Sequence, residues 1–182
     1  MKKYKISKLL VILLIAFFAI PMVKNFYLKP STGSGEAVKD FSGTLANGSP
    51  FNLSDLRGKY VLLDFWGSWC GPCIREMPQV KGLYEKYGAA SFKNTDGFTI
   101  VSVSVEKEEG RWRRALEKYQ MPWNYQMIDL AKSLQFFDSP IAKLYGVKQV
   151  PTKFLINEKG VVIGVDQSFE EIAAFLEGEV RK

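Results

Sequence analysis

The chain contains no histidine and only two cysteines in 182 residues. Without histidine it can hold no Ser-His-Asp or Cys-His nucleophilic system, no His-ligated haem and no His-based zinc site. Ile74 follows Cys73, which also excludes the C-x-x-C-H motif for haem attachment. Zinc held by two thiolates and carboxylates would be an unusual ligand set. We therefore expect neither a metal nor another cofactor.

The positive charge of the chain is concentrated at its N-terminus. The formal net charge is +6, from 25 Lys and Arg against 19 Asp and Glu. Six of the lysines lie in residues 1–29, which contain no acid, and this leaves 19 basic and 19 acidic residues from Pro30 onward. A nucleic-acid-binding protein needs a basic face on its folded body, and this balance does not support one.

An apolar segment follows the lysine-rich start of the chain. Residues 9–23 are 15 uninterrupted apolar residues, preceded by four lysines at positions 2, 3, 5 and 8. The run is short for a membrane span of about 20 residues, so it fits either a short anchor or a secretory signal. No convincing small-x-small cleavage site follows it, and no cysteine is present for a lipoprotein signal. A retained membrane anchor is favoured, with the body on the outer side of the membrane.

The same patterns divide the chain into three parts. Residues 1–29 are predicted to form the membrane anchor or signal segment. Residues 30–37 are rich in serine and glycine, which predicts a flexible tether. Residues 38–182 are then the folded domain.

Hydrophobic patterning in this domain predicts a mixed α/β sheet flanked by helices. Asn47-Gly48 between two short apolar runs indicates an N-terminal hairpin. The nearly all-apolar run at 60–66 indicates a strand buried on both faces. The remaining predicted elements are a helix at 70–87, a strand at 98–105, a helix at 109–120, a strand at 124–128, a helix at 139–145, a hairpin of 153–156 with 161–165, and a helix at 169–177.

Cys70 and Cys73 lie where the predicted strand gives way to a helix, which is typical of thiol–disulfide exchange. Free N–H groups and the helix dipole at this end stabilise a thiolate and so lower the pKa of Cys70. Cys70 would attack a substrate disulfide and Cys73 would resolve the mixed disulfide. A bridge that closes so short a loop constrains the unfolded chain little, which argues against a purely structural disulfide. Trp69 is predicted to be a contact surface beside Cys70, and Trp66 to be part of the core.

Residues 64–73, which read DFWGSWCGPC, resemble the active-site segment of the thioredoxin superfamily. Continued through Glu76 and Pro78, the segment is most similar to the membrane-tethered TlpA/ResA-like branch. A second motif, GVKQVPT at 146–152, strengthens the resemblance. It implies a thioredoxin-like fold with an N-terminal hairpin and an inserted helix–strand unit, preceded by an N-terminal membrane helix.

The resemblance also implies roles for individual residues. Asp64, desolvated in an apolar strand with a raised pKa, would relay the proton of Cys73. The TlpA/ResA-like branch uses a glutamate at the position of Glu76, and since this chain has both carboxylates, the proton carrier stays open. The Val150–Pro151 bond is expected to be cis, with the backbone of Val150 facing a substrate strand.

Gly71 and Pro72 lie between the cysteines and, with Trp69, complete the expected substrate-binding surface. Strong oxidants of the superfamily often carry histidine between their cysteines. Because this chain has none, the resemblance favours a reducing pair.

Together these features predict an extracytoplasmic thiol–disulfide oxidoreductase on the bacterial cytoplasmic membrane, facing the periplasm or cell exterior. It would reduce disulfides of extracytoplasmic proteins, of which the family's substrates include apocytochromes in cytochrome c biogenesis. A thiol electron donor in the membrane would recharge it. The alternatives are a thiol peroxidase, a net disulfide oxidant or isomerase, and a binding module on the same fold.

Overall fold

The computed structural model describes residues 8–132 and 136–181. The first described element is α1 (Lys8–Leu28), a 21-residue helix whose large apolar side chains between Leu10 and Val23 are exposed. Lys2, Lys3 and Lys5, on which the predicted orientation partly rests, lie outside the described residues. Within the described residues, no helix meets both the length and the apolarity needed to cross a membrane.

Every helix and strand predicted for the domain is present, with bounds within two residues of those predicted. In chain order they are β1 (Ser42–Thr44), β2 (Pro50–Asn52), β3 (Tyr60–Trp66), α2 (Gly71–Tyr87), β4 (Phe98–Glu106), α3 (Glu109–Tyr119), β5 (Tyr125–Leu130), α4 (Pro140–Tyr145), β6 (Thr152–Ile156), β7 (Val162–Val165) and α5 (Phe169–Glu179).

The central sheet has five strands in the order β5-β4-β3-β6-β7. β3, β4 and β5 are parallel, whereas β6 and β7 are antiparallel to their neighbours. β1 and β2 form a separate antiparallel pair, which confirms the N-terminal hairpin. α3 and β5 are the predicted helix–strand unit, and β5 extends the sheet beyond β4.

The two faces of the sheet bury separate apolar cores because side chains alternate along each strand. One face packs Leu63, Phe65 and Phe154 against α4. The other packs Leu62 and Trp66 against α2 and α5 and includes both cysteines. The even-numbered residues of β3, Asp64 among them, therefore lie on the face that carries the cysteines.

The end of the predicted flexible tether, residues 35–37, pairs with the chain at the start of β7. The Gly35 amide donates to the Val162 carbonyl at 2.8 Å, and the Val162 amide donates to the Glu36 carbonyl at 2.9 Å. The Val38 amide adds a bond to the Gly160 carbonyl at 2.9 Å. These bonds occupy backbone groups that an edge strand would otherwise present to other chains. The division into anchor, tether and domain otherwise stays a prediction.

Phe65 gives a test of how strongly the first core stabilises the domain. Its fully buried ring packs against Tyr145 and Phe154, with centroids 5.6 and 5.9 Å away. We expect Phe65→Ala to lower the free energy of unfolding by about 3–5 kcal/mol because it leaves a cavity that the sheet cannot close. Denaturant unfolding of the oxidised protein measures this loss. Phe175→Ala, at a partly buried site, is the control, and equal losses in both variants would contradict the assignment.

Candidate active site

Cys70 is the N-cap of α2. Its backbone is extended (φ −86°, ψ 101°), and its Sγ accepts a hydrogen bond from the Cys73 amide at 3.2 Å. A sulfur atom thus takes the place of the side-chain oxygen that usually caps a helix. Gly71 begins the helix and Pro72 follows it, where a proline fixes φ without removing an intrahelical hydrogen bond. The free N–H groups at this end favour negative charge on Cys70 Sγ.

Cys70 and Cys73 form a disulfide, with Cα atoms 5.3 Å apart. Each residue is only 4% exposed. The neighbouring Trp69 is 38% exposed, and its Nε1–H donates to the Val105 carbonyl at 2.8 Å. The indole is therefore fixed and partly exposed next to Cys70, and its role as a contact surface stays a prediction. Trp66 is buried in the core, as predicted.

The Val150–Pro151 peptide bond is cis, as the resemblance implied. The carbonyl oxygen of Val150 lies 3.6 Å from Cys70 Sγ. In the disulfide this sulfur carries no proton, so the approach is a contact. In the reduced protein, a Cys70 thiol would be able to donate a weak hydrogen bond to the same carbonyl. The backbone at Val150 and the sulfur of Cys70 therefore face each other.

Asp64 is a buried carboxyl on the same face of the sheet as the cysteines, 4% exposed. None of the described residues donates a hydrogen bond to its carboxyl. Burial raises the pKa of Asp64 to about 7, opposed by the positive charge of Lys153 and reinforced by the negative charges of Glu76 and Asp166. This confirms the raised pKa predicted from the apolar strand around it.

Glu76 forms an ion pair with a residue from another element. Its Oε2 accepts a hydrogen bond from Lys153 Nζ at 2.8 Å, and the lysine side chain is 8% exposed against 32% for the glutamate. Lys153 reaches from β6 to α2 to make this contact. One oxygen of the Glu76 carboxylate is therefore already occupied.

Lys153 is a residue that the sequence analysis did not identify. It lies directly opposite Asp64 in the antiparallel β3–β6 pair, so their side chains share a face. Its Nζ is 4.9 Å from the centre of the Phe169 ring, and its amide donates to Asp166 Oδ1 at 2.8 Å. The sequence feature that could have pointed to Lys153 is its position two residues after Pro151, at the start of an apolar strand.

Glu106 is a second residue that the sequence analysis missed. It ends β4, is 1% exposed, and accepts hydrogen bonds from the Ser68 amide at 2.6 Å and the Ser68 hydroxyl at 3.1 Å. The Ser104 hydroxyl donates to the same carboxylate at 2.8 Å. Glu106 thereby holds the loop that carries Trp69 and leads into Cys70.

Residues 34–165 match the AhpC/TSA family. The chain belongs to this thioredoxin-like family. The thiol-disulfide oxidoreductase ResA of Halalkalibacterium halodurans is 31% identical to it over 162 residues, which cover 85% of this chain and 84% of that protein. The ResA protein of Bacillus anthracis is 30% identical over 182 residues, or 97% of each chain.

A solved structure shares the fold of this AhpC/TSA-family chain. The crystal structure of the thioredoxin domain of a thiol-disulfide oxidoreductase from Bacteroides vulgatus superimposes with a TM-score of 0.67 at 27% identity. The match covers 80% of this chain and 99% of that domain. The thioredoxin-like fold and the ResA-like resemblance are confirmed. With its Cys70–Cys73 disulfide at a helix N-terminus, the chain is a protein-disulfide oxidoreductase.

The buried carboxyl of Asp64 makes the stability of this family member depend on pH. Its pKa rises from the ordinary value of 3.8 to about 7, so the folded protein keeps a proton that the unfolded chain releases between these values. Because of Asp64, the free energy of unfolding therefore falls as the pH rises from about 4 to about 7. We expect Asp64→Asn to gain stability relative to the wild type over this range, by up to about 4 kcal/mol.

Urea unfolding of the oxidised proteins at about pH 4.5 and about pH 8 measures this difference. Asp55→Asn is the control, because Asp55 lies on the surface near the N-terminal hairpin. A difference between Asp64→Asn and wild type that stays constant with pH would contradict the assignment.

Proposed function

We propose that the protein is a membrane-anchored reductant of disulfides in extracytoplasmic proteins. The observation that carries this proposal is the position of Cys70. Its sulfur is held at the N-terminus of α2 and faces the Val150 carbonyl at the cis-proline, 3.6 Å away. An attacking sulfur thus lies beside backbone groups that can pair with an extended substrate strand.

The reaction follows from this placement in two exchanges. In the reduced protein, the Cys70 thiolate attacks one sulfur of the substrate disulfide and the other substrate sulfur leaves as a thiolate. The Cys73 thiolate then attacks Cys70 Sγ, which releases the second substrate sulfur and closes the Cys70–Cys73 disulfide. The substrate gains two electrons, and the protein dithiol loses them. A membrane dithiol donor would return the pair to its reduced form.

We assign the proton of Cys73 to Asp64 rather than to Glu76. The pKa of Asp64, raised by burial to about 7, lets this carboxyl accept and return a proton near neutral pH. Asp64 shares the face of the sheet on which Cys73 is packed. Glu76 is engaged by Lys153 at 2.8 Å, which leaves Asp64 as the carboxyl without a hydrogen-bond partner among the described residues.

The residues between the cysteines support the reducing direction. Gly71 and Pro72 bring no charge to the pair, and the chain has no histidine that could add a positive charge. Stabilisation of the Cys70 thiolate then rests on the helix N-terminus. A strongly oxidising pair is one whose reduced form is stabilised further than this.

The exposed apolar surface of α1 supports the membrane location. Phe17, Phe18 and Met22 are each more than 70% exposed, and the other large apolar side chains between Leu10 and Val23 are 42–64% exposed. Contiguous apolar surface of this kind marks a membrane or protein contact. The lysines that precede it would keep the N-terminus in the cytoplasm and place the domain outside. Proteins with disulfides, including apocytochromes awaiting haem, are the substrates we propose there.

Cysteine variants test the reaction itself. We expect the reduced full chain, in nonionic detergent, to reduce insulin disulfides. Cys70→Ser should abolish this activity, because it removes the attacking sulfur. Cys73→Ser should instead accumulate a mixed disulfide between Cys70 and the substrate, visible as a mass increase. Insulin reduction by Cys70→Ser would contradict the assignment.

The equilibrium reduction potential of the Cys70–Cys73 pair tests the direction, and it is measured against a glutathione or dithiothreitol buffer. A value near about −270 mV supports a reductant, whereas one near about −120 mV would make the protein a disulfide donor. Rapid consumption of hydrogen peroxide by Cys70 would favour the peroxidase alternative.

Removing Lys153 tests the assignment of the proton carrier. The positive charge of Lys153 lowers the pKa of Asp64, so Lys153→Met should move the Asp64 titration upward from about pH 7. Carboxyl carbon NMR measures this pKa, and the pH dependence of Cys73 alkylation should shift in the same direction. Lys159→Met, on the hairpin turn between β6 and β7, is the matched control. Unchanged pH profiles in Lys153→Met would argue against Asp64 as the proton acceptor.

A further inference from the structure

We propose that a basic hollow beside Trp69 binds acidic residues that flank the disulfide of a polypeptide substrate. This hollow is a surface depression of about 290 Å³, lined chiefly by Trp69, Arg111, Arg114, Lys118 and Tyr119. The inference rests on the proposed action on protein disulfides and specifies which proteins are preferred.

One face of α3 supplies the cations of the hollow. Arg111, Arg114 and Lys118 are three and four positions apart, so their side chains lie along the same side of the helix. Ala115, between them, is small and leaves the depression open. Trp112 packs below in the core at 1% exposure and fixes the orientation of the helix.

The positive charge of the basic hollow is only partly neutralised within the described part of the chain. Arg111 pairs with Glu108 at 3.0 Å, but neither Arg114 nor Lys118 has an acidic partner there. No carboxylate of the described residues lines the hollow. The chain from Pro30 onward is formally neutral, with 19 basic and 19 acidic residues, so this local excess comes from the arrangement of α3.

The hollow adjoins the redox pair. Trp69 forms its wall and directly precedes Cys70, while Ser68 at the rim is fixed by two hydrogen bonds to Glu106. An extended polypeptide advances about 3.3 Å per residue. A substrate whose cysteine meets Cys70 can therefore cross Trp69 and place side chains two or three positions away in the basic hollow.

Carboxylates are the groups that this site fits best. An arginine guanidinium can hold a carboxylate through two parallel hydrogen bonds, and a nearby ammonium adds a second charge-assisted contact. The phosphate of a lipid headgroup has similar charge. We favour an acidic polypeptide because Trp69, which lines the hollow, directly precedes Cys70, whose sulfur a polypeptide substrate must reach.

Matched model peptides test the proposal. Two peptides carry the same disulfide, flanked in one by glutamates and in the other by glutamines. Their rates of reduction by the reduced full chain in nonionic detergent are compared, each normalised to the rate with uncharged 4,4′-dithiodipyridine. We expect the wild type to prefer the acidic peptide about fivefold to tenfold at low salt, and less at high salt.

Charge variants locate the preference. The double variant Arg114→Gln, Lys118→Gln should lose the preference for the acidic peptide. The double variant Arg114→Glu, Lys118→Glu should instead prefer a peptide whose disulfide is flanked by lysines. The matched control is Arg113→Gln with Lys143→Gln, which removes the same charge elsewhere. Arg113 bonds to Glu109 and to the Ala46 carbonyl, and Lys143 pairs with Asp138, so neither lines the basic hollow. The control should keep the preference for the acidic peptide.

The possible results separate this inference from the proposed function. Equal reduction of both peptides by the wild type would overturn the acidic preference and leave the redox function standing. If the wild type reduced neither peptide, both the acidic preference and the proposed redox function would be wrong. If the Arg114 and Lys118 variant lost only binding to phosphatidylglycerol vesicles and kept the peptide preference, the hollow would be a lipid contact and the inference wrong.

Discussion

The ion pair between Lys153 and Glu76 ties together the elements that build the redox site. Lys153 comes from β6, which starts directly after the cis-proline, and Glu76 comes from the helix that Cys70 caps. Across the sheet, Asp64 of β3 faces the same lysine. Removing Glu76 would leave the buried ammonium group of Lys153 without its ion-pair partner, which is destabilising. The ammonium group of Lys153 thereby couples three parts of the site: the cis-proline segment, α2 and the carboxyl of Asp64.

A second polar cluster fixes the other side of the site. The Glu106 carboxylate at the end of β4 gathers three hydrogen bonds, two of them from Ser68. The Val105 carbonyl beside it accepts the indole N–H of Trp69. β3 and β4 are parallel, so the loops after them emerge at the same edge of the sheet. The redox pair stands at this edge, where open α/β sheets generally bind their ligands.

Local sequence features were sufficient to locate the elements and most of the site. Alternating and continuous apolar runs located the strands, and the two short motifs identified both cysteines and Pro151. Lys153 and Glu106 were missed because their burial depends on which strands become neighbours. A lysine in a strand is ordinarily exposed, and nothing near Lys153 in sequence indicates that Asp64 lies opposite it. For the same reason the sequence left the choice between Asp64 and Glu76 open, since only the fold shows that Glu76 is already paired.

The hydrogen bonds at the start of the domain limit how far the domain can lie from α1. α1 ends at Leu28, and the Thr32 amide already donates to the Tyr145 carbonyl at 3.3 Å. The four residue steps from Leu28 to Thr32 span at most about 14 Å. If α1 is a membrane anchor, so short a linker would keep the redox centre close to the membrane surface. A donor in the same membrane would then meet it at a high effective concentration, whereas a freely diffusing substrate would have to come to the surface.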